Sequence, residues 1–489
     1  MRTDYAQADD AKAYRFRPTC VALALVAVGT LLLAGCATVD INQSITRANL
    51  DAGSLTGGKL TLAQTDRERG ELQSTAAALL AKPLSADDAV HMALINNPAM
   101  QALLAQSWAD AATAAQSGRL PNPLLTLDWI RSPATVDVGR MLGVGLLDIL
   151  SLPRRNRIAQ SRLEQGQLQL TSEVIDKVTQ VRQAWVAAVG AQQSLTYAKQ
   201  VSDSAEASAE LARRMLAVGN FNKLQRARQQ AFYADASAQW ASASHVATAS
   251  REALIRLLGL TDGQAQQLTL PERLPDIPTA PRAPGDASAA ASRGRLDIKI
   301  AQAAVNATAA AQGLIVLTSF TDIELSVIRN TSKDRTDGQR TQGRGFEVAL
   351  TLPVFDWGDL KRDAMNAQML AAANRLEATV RAAGSNLRES YSAYRTTYDI
   401  AKHYRDEIVP LRKLIADENV LRYNGMLIGV FELLADSRDQ ITSVIAAINA
   451  QQQFWLADAA LQSSILGKPV MMPSMGAGPA TAGGGDAMH

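Results

Sequence analysis

From Arg154 to Val218 the sequence runs without a proline, and only Gly166 and Gly190 interrupt good helix formers. Read as one helix, this run is roughly 65 residues and ~98 Å long. A rod of that length does not wrap a compact core; it needs helical partners along its side. The stretch from Asp359 to Asn424 is similar apart from Pro410, which predicts a kink or local break. Each run ends at a glycine-containing break, RRMLAVGNFNKLQRARQQ from Arg213 and LRYNGMLIGVFELLADSRDQ from Leu421. A second helix then returns, over about 222–258 and about 431–466. The pattern predicts two long helical hairpins.

The paired breaks are one sign of an internal duplication. LDILSLPRRNRIAQSRLEQ, from Leu147, answers EVALTLPVFDWGDLKRDAMNAQ, from Glu347, with Pro153 and Pro353 at equivalent points. Each reads as an apolar strand, then Leu-Pro, then a helix. Partners stand about 200 residues apart, too far for a solenoid period, so one large unit is doubled. Each half also opens on a helix. In LSADDAVHMALINNPAMQALLAQSWADAATAAQSG, Ser85 with Asp88 reads as a capping box, and Pro98 restarts the helix. The counterpart begins near Leu296, after the proline-rich link PERLPDIPTAPRAPG from Pro271.

Between the helices lie strands of period two. FEVALTLP places Phe346, Val348, Leu350 and Leu352 on one face, TDIELSVIR places Ile323, Leu325 and Val327, and LLTLDWI places Leu125, Leu127 and Trp129. VGLLDILSL, from Val144, alternates less well. RSPATVDVGR from Arg131 and RNTSKDRTDGQRTQGRG from Arg329 are polar, glycine-bearing and read as loops. Two strands of roughly nine residues per half suit a tilted transmembrane strand, and equally a soluble hairpin with one buried face. Four strands do not close a barrel, and open edges in lipid leave backbone groups unpaired. The membrane reading therefore requires other copies of the chain; twelve strands from three copies leave a lumen.

The N-terminus favours the membrane. Arg2, Lys12, Arg15 and Arg17 precede the apolar run VALALVAVGTLLLA, which ends at Leu33-Ala34-Gly35-Cys36. A basic leader and a short apolar core describe a secretory signal peptide. At about 14 residues the core is short of the ~20 that span a bilayer as a helix. The ending resembles a bacterial lipobox, in which Cys36 is lipidated; the alternative is an incidental cysteine. Two or three acyl chains, at ~0.8 kcal/mol per methylene, anchor firmly. Ala37 follows, where an aspartate in such lipoproteins tends to retain them in the inner membrane, and this points to the outer one.

A net charge of +2 leaves no electrostatic footprint for nucleic acid. His91, His245, His403 and His489 are scattered, and no HExxH, CxxC, GxSxG or GxGxxG spacing occurs, so neither a metal site nor an enzyme has sequence support. Aromatic residues make up only 5%, which suits long helices with shallow, small-residue interfaces better than a bulky globular core. The segments are then a signal peptide (1–35), a lipid-anchored linker (36–83), a first repeat (84–270), a Pro-rich link (271–294), a second repeat (295–466) and a disordered tail (467–489). The tail MMPSMGAGPATAGGGDAMH is either simply unstructured or a binder of a soft ion such as Cu(I).

Over roughly Leu84 to Leu466 the chain resembles the TolC-like outer-membrane efflux proteins, in their lipoprotein branch. The carrying motifs are LSADDAVHMALINNPAM, the Leu-Pro helix entries, PVFDWGDLKRDA and the glycine-bearing tips. The resemblance implies a mainly α fold with a small β part. In it, a homotrimer shares a 12-stranded β-barrel and a periplasmic α-barrel that meets an adaptor protein and an inner-membrane pump. It implies a passive duct with no catalysis and no cofactor beyond the lipid on Cys36. Docking tips would comprise Leu216, Val218, Gly219 and Leu224, and Gly425, Met426 and Gly429. Met426 falls where relatives often carry glycine, with Gly425 and Gly429 near enough to serve. A periplasmic aperture would be ringed by Glu432, with Asp436 substituting for an acidic position that aligns with Ala435; otherwise Glu432 is a solvated helix charge. Arg154, Arg155 and Arg157 would meet acidic headgroups, interprotomer carboxylates or plain solvent beside the barrel. A type I secretion duct and a structural coiled-coil lipoprotein are the alternative functions.

Overall fold

The computed structural model describes residues 39–292, 294–318, 323–352 and 354–469. The signal peptide, Cys36, Pro353 and the methionine-rich tail from Val470 lie outside them. The chain divides into Met1–Asp40 and Ile41–His489, and the second unit holds all the elements below.

In the first half come α1 (Ile41–Asp51), α2 (Gly53–Thr56), α3 (Asp66–Leu80), α4 (Ala86–Asn96), α5 (Pro98–Ser117), β1 (Leu124–Arg131), β2 (Thr135–Gly145), α6 (Leu146–Ala217), α7 (Lys223–Leu258) and α8 (Asp262–Gln267). The second half has α9 (Pro284–Ser292), α10 (Leu296–Thr318), β3 (Ile323–Asp334), β4 (Arg340–Leu350), α11 (Asp359–His403), α12 (Val409–Asn424) and α13 (Val430–Ile465). The mainly α, duplicated architecture expected from the sequence is therefore present. Helix α6 has 72 residues, so it is ~108 Å long. It is the spine of the unit, packed against α1, α4, α5, α7, α10 and α13.

Two junctions differ from expectation. Helix α6 begins at Leu146, before Pro153 and not after it, so LLDILSL is helix and not strand. Asp148 sits favourably in the first turn and accepts a hydrogen bond from Arg155 at 2.7 Å, bridging the turn that Pro153 weakens. The second strand comes instead from TVDVGR, which had read as loop. Likewise β3 runs on to Asp334 and β4 starts at Arg340, leaving a short turn between them. These strands mix charged residues and glycines among their apolar ones, as Asp137, Gly139 and Arg140 do in β2 and Arg340, Gly343 and Arg344 in β4, which hides them in a hydrophobicity pattern.

The expected break at Pro410 is a π-turn, Tyr404–Ile408, between α11 and α12. The wider turn absorbs the hydrogen bond and the space that proline denies the helix. Ser85 accepts from the Asp88 N–H at 3.1 Å, but only this half of the capping box forms.

A belt of small elements wraps the helices near mid-length. Residues 36–83, read as a linker, carry α1–α3, whose Ile45, Ala48 and Leu80 join the core around Val174, Val178 and Trp185 of α6. Trp185 donates from Nε1 to the Leu84 carbonyl at 2.8 Å. The proline-rich link is strapped across α11 and α13. Tyr398 donates to the Thr279 carbonyl at 2.9 Å, Tyr391 to the Arg282 carbonyl at 2.9 Å, and Trp455 to the Pro275 carbonyl at 2.9 Å. Tyr394, Tyr398 and Phe454 pack beneath it in tilted and edge-on contacts, the aromatic centre of this joint.

Candidate functional site

The sheet lies at one end of the helices, with its turns pointing away from them. It is antiparallel with order β1-β2-β3-β4, and among the described residues β1 and β4 each have a partner on one side only. The register fixes which side chains share a face. One row reads Leu125–Leu142–Val327–Phe346, and the next toward the helices reads Val144–Leu325–Val348. Trp129 and Phe346 on this face are each 79% exposed, far more than a packed hairpin would leave them. The opposite face carries Thr126, Met141, Ile328 and Gly345 in one row and Asp128, Gly139, Asn330 and Gly343 in the next. Below β4 the apolar surface continues through Phe355, which is fully exposed, and Trp357.

Arg154 and Arg155 have partners within the chain. Arg154 donates to the Gly313 carbonyl on α10, and Arg155 reaches Asp148 and, at 3.3 Å, the Ser117 carbonyl of α5. They tie three helices together under the sheet, two turns inside α6 and clear of its N-terminal dipole. Arg157 is exposed.

At the opposite end are the two hairpin tips, which share one backbone turn. In the first, Gly219 takes the left-handed conformation at φ 80° and the Asn220 N–H reaches back to the Met215 carbonyl at 2.9 Å. In the second, Met426 takes it at φ 59° and the Leu427 N–H reaches the Arg422 carbonyl at 2.9 Å. Both are Schellman closures, the usual way of ending a helix on a left-handed residue. Gly425 (φ −78°) and Gly429 (φ −81°) are right-handed and extended respectively, so neither stands in for the missing glycine. Met426 is 93% exposed; Val218 and Leu224 are exposed and Leu216 is half-buried.

The returning helices start differently. Asn222 caps α7 in a full box with Gln225, at 2.8 and 3.0 Å. Gly429 caps α13 with no side chain. Glu432 is exposed in the first turn of α13, and one turn on Asp436 is half-buried and accepts from Asn419 of α12. Further along, Asp439 pairs with Arg412 at 3.2 Å. Nothing in the sequence reading pointed to Arg438. It donates to Gln229 of α7 at 2.7 Å and lies 3.8 Å over the Phe232 ring, clamping the two hairpins together. Burial lowers its pKa from the usual arginine value. Both partners lie on the other hairpin, so no signal local to Arg438 in the sequence could have found it.

Among the described residues no group of His, Cys, Asp or Glu is placed to hold a metal ion, and no helix is long and apolar enough to cross a membrane. Against solved structures the whole architecture has counterparts. A membrane protein from Pseudomonas aeruginosa superposes with a TM-score of 0.63 at 23% identity, covering 82% of this chain and 94% of that one. The Campylobacter jejuni CmeC outer membrane channel gives a TM-score of 0.63 at 14% identity, covering 81% and 86%. The chain has the fold of the CmeC outer membrane channel. The open state of the Neisseria gonorrhoeae MtrE outer membrane channel also shares the channel fold, with a TM-score of 0.61 at 19% identity over 79% and 91% of the two chains. No family model and no curated protein matches the sequence.

Proposed function

We propose that this protein is the outer-membrane duct of an efflux system. Three copies share a twelve-stranded barrel, and their helical hairpins form a periplasmic tunnel that docks to an adaptor and an inner-membrane pump. The observation that carries this is the sheet. Four strands whose two edges have no further partner among the described residues, with an exposed apolar face, are incompatible with lipid until other copies close the ring. The fold shared with CmeC and MtrE, both channels of the outer membrane, supports it. The exposed tips around Val218 and Leu224, and around Met426, are the adaptor surface. Cys36 carries the lipid. Glu432 lines the periplasmic aperture, where a threefold ring of carboxylates attracts cations; Asp436, tied to Asn419, contributes less. No catalytic step is assigned to the chain.

The test is electrical. Protein extracted as a heat-modifiable trimer should form ion-conducting channels in planar bilayers, and Glu432→Gln should weaken their cation preference. Protein that stays monomeric and never conducts would falsify the duct, and unchanged selectivity in Glu432→Gln would remove Glu432 from the aperture.

A further inference from the structure

The sheet sorts its charges by face without exception among the described strand residues. Asp128, Asp137, Glu324, Asp334 and Glu347 all lie on the face opposite the apolar rows. Arg131, Arg140, Arg329, Lys333, Arg340 and Arg344 all lie on the apolar face itself. They form two bands. Arg140, Arg329 and Arg344 stand side by side on β2, β3 and β4, one row beyond Leu142, Val327 and Phe346. Arg131, Lys333 and Arg340 form the second band beside the turns. Between them lies the row of Trp129, Val138, Thr331 and Gln342.

We propose that this outward cationic face is a binding site for the phosphate groups of a phosphorylated lipid in the outer leaflet. The inference rests on the duct reading, which turns the apolar face toward lipid. Like charges directly opposite one another on neighbouring strands, ~5 Å apart, destabilise a sheet. No carboxylate of the strands shares the face to offset them; Gln342, which accepts from Arg329 at 3.3 Å, is uncharged. Cations on a barrel's lipid side are also unfavourable, most at mid-bilayer and least near the interface. Both penalties fall if anions from the membrane surface fill the face. The arginine fork suits phosphate oxygens in a way lysine does not, and five of the six cations are arginines. The two bands are four residues apart along each strand, ~14 Å, so one headgroup with well-separated phosphates can engage both. Trp129 between them has the place of an interfacial aromatic.

The experiment uses the full chain as a purified trimer, with bisphosphorylated lipid A and its phosphate-free form as probes, and bound lipid counted by native mass spectrometry. Wild type should hold the phosphorylated lipid and release the other. Arg140→Gln, Arg329→Gln and Arg344→Gln together should weaken binding at least tenfold, and the three Arg→Lys changes should weaken it less. Asp128→Asn with Asp137→Asn, on the other face, should leave it unchanged. If the Gln triple does not assemble, the Lys triple and the phosphate-free lipid decide. Equal retention by the assembled variants and wild type, or equal binding of the two lipids, overturns the proposal while a conducting channel leaves the duct standing. Wild type that never conducts removes both.

Discussion

Met426 offers the sharpest test of how the tips are built. It is the one described residue other than glycine with a positive φ, and its side chain is 93% exposed, so it gives up almost no packing when removed. A left-handed conformation is unfavourable by roughly 1–2 kcal/mol for a residue with a Cβ. Met426→Gly relieves that strain but loosens the unfolded chain, an offset of about 0.4–1 kcal/mol. The net stabilisation of the closed tip is therefore about 0.5–1 kcal/mol, whereas Met426→Ala keeps the Cβ and should change it little. Global unfolding would not register so local a change, since tips open independently of the core. The Leu427 amide, which donates to the Arg422 carbonyl at 2.9 Å, reports the closure directly. Its hydrogen exchange should slow about two- to fivefold in Met426→Gly and stay near wild type in Met426→Ala. If the two variants exchange alike, or if glycine speeds exchange, the left-handed strain at the second tip is not real.

Two further outcomes follow from buried joints. Gly219 and Gly259 are both left-handed, but a Cβ at Gly219 meets nothing within 4 Å, whereas at Gly259 it would lie 2.6 Å from the Asn97 Cα. Gly219→Ala should therefore lose only about 1 kcal/mol, locally. Gly259→Ala should lose about 2–4 kcal/mol, by forcing apart the α4–α5 junction that Asn97 ties to the Leu257 carbonyl at 2.7 Å. Equal thermal midpoints for the two would refute this. Asp458 is 7% exposed, and burial raises its pKa, opposed by Arg282 at 3.4 Å and by Gln462. A carboxyl raised on folding binds its proton more tightly in the native state, so that state loses stability as pH rises from the ordinary aspartate value through the raised one. Relative to wild type, Asp458→Asn should gain thermal stability across that acidic window and then level off; a difference independent of pH would count against it.

The long helices were legible because their signal is collective. Dozens of residues without proline outvote any local ambiguity, and the duplication supplies a second reading of each boundary. Junctions are decided by a handful of residues, and there the sequence misleads. LLDILSL is apolar enough to pass for a strand, but Asp148 belongs in a helix's first turn and pairs with Arg155 a helical distance away. TVDVGR looks like a loop because Gly139 and the charges of Asp137 and Arg140 dilute it, yet Val136 and Val138 share one face and the alternation runs on to Leu142. The folded N-terminal segment had a visible cue in Thr65 and Glu68, which form a full capping box at α3. Arg438 had no such cue, since its partners Gln229 and Phe232 lie on a different hairpin and meet it only in three dimensions.

The two halves have kept a common backbone while parting in chemistry, and the tips show where. The same spacing separates Gly219 from Met426, Asn222 from Gly429 and Gln225 from Glu432, and the same Schellman bond closes both turns. In the first half the side chains at these positions serve the fold. Glycine relieves the turn, and Asn222 with Gln225 satisfies the free N–H groups of α7. The second half gives up each of those stabilising choices. It accepts a strained methionine, a glycine cap without a side chain, and an exposed carboxylate at Glu432 in place of a bonded glutamine. Residues that depart from the locally stable option in one copy of a duplicated turn, and not in the other, are the ones whose exposed groups are free to face a partner or a solute. On the proposed duct reading, selectivity and docking should therefore concentrate at the second tip more than at the first.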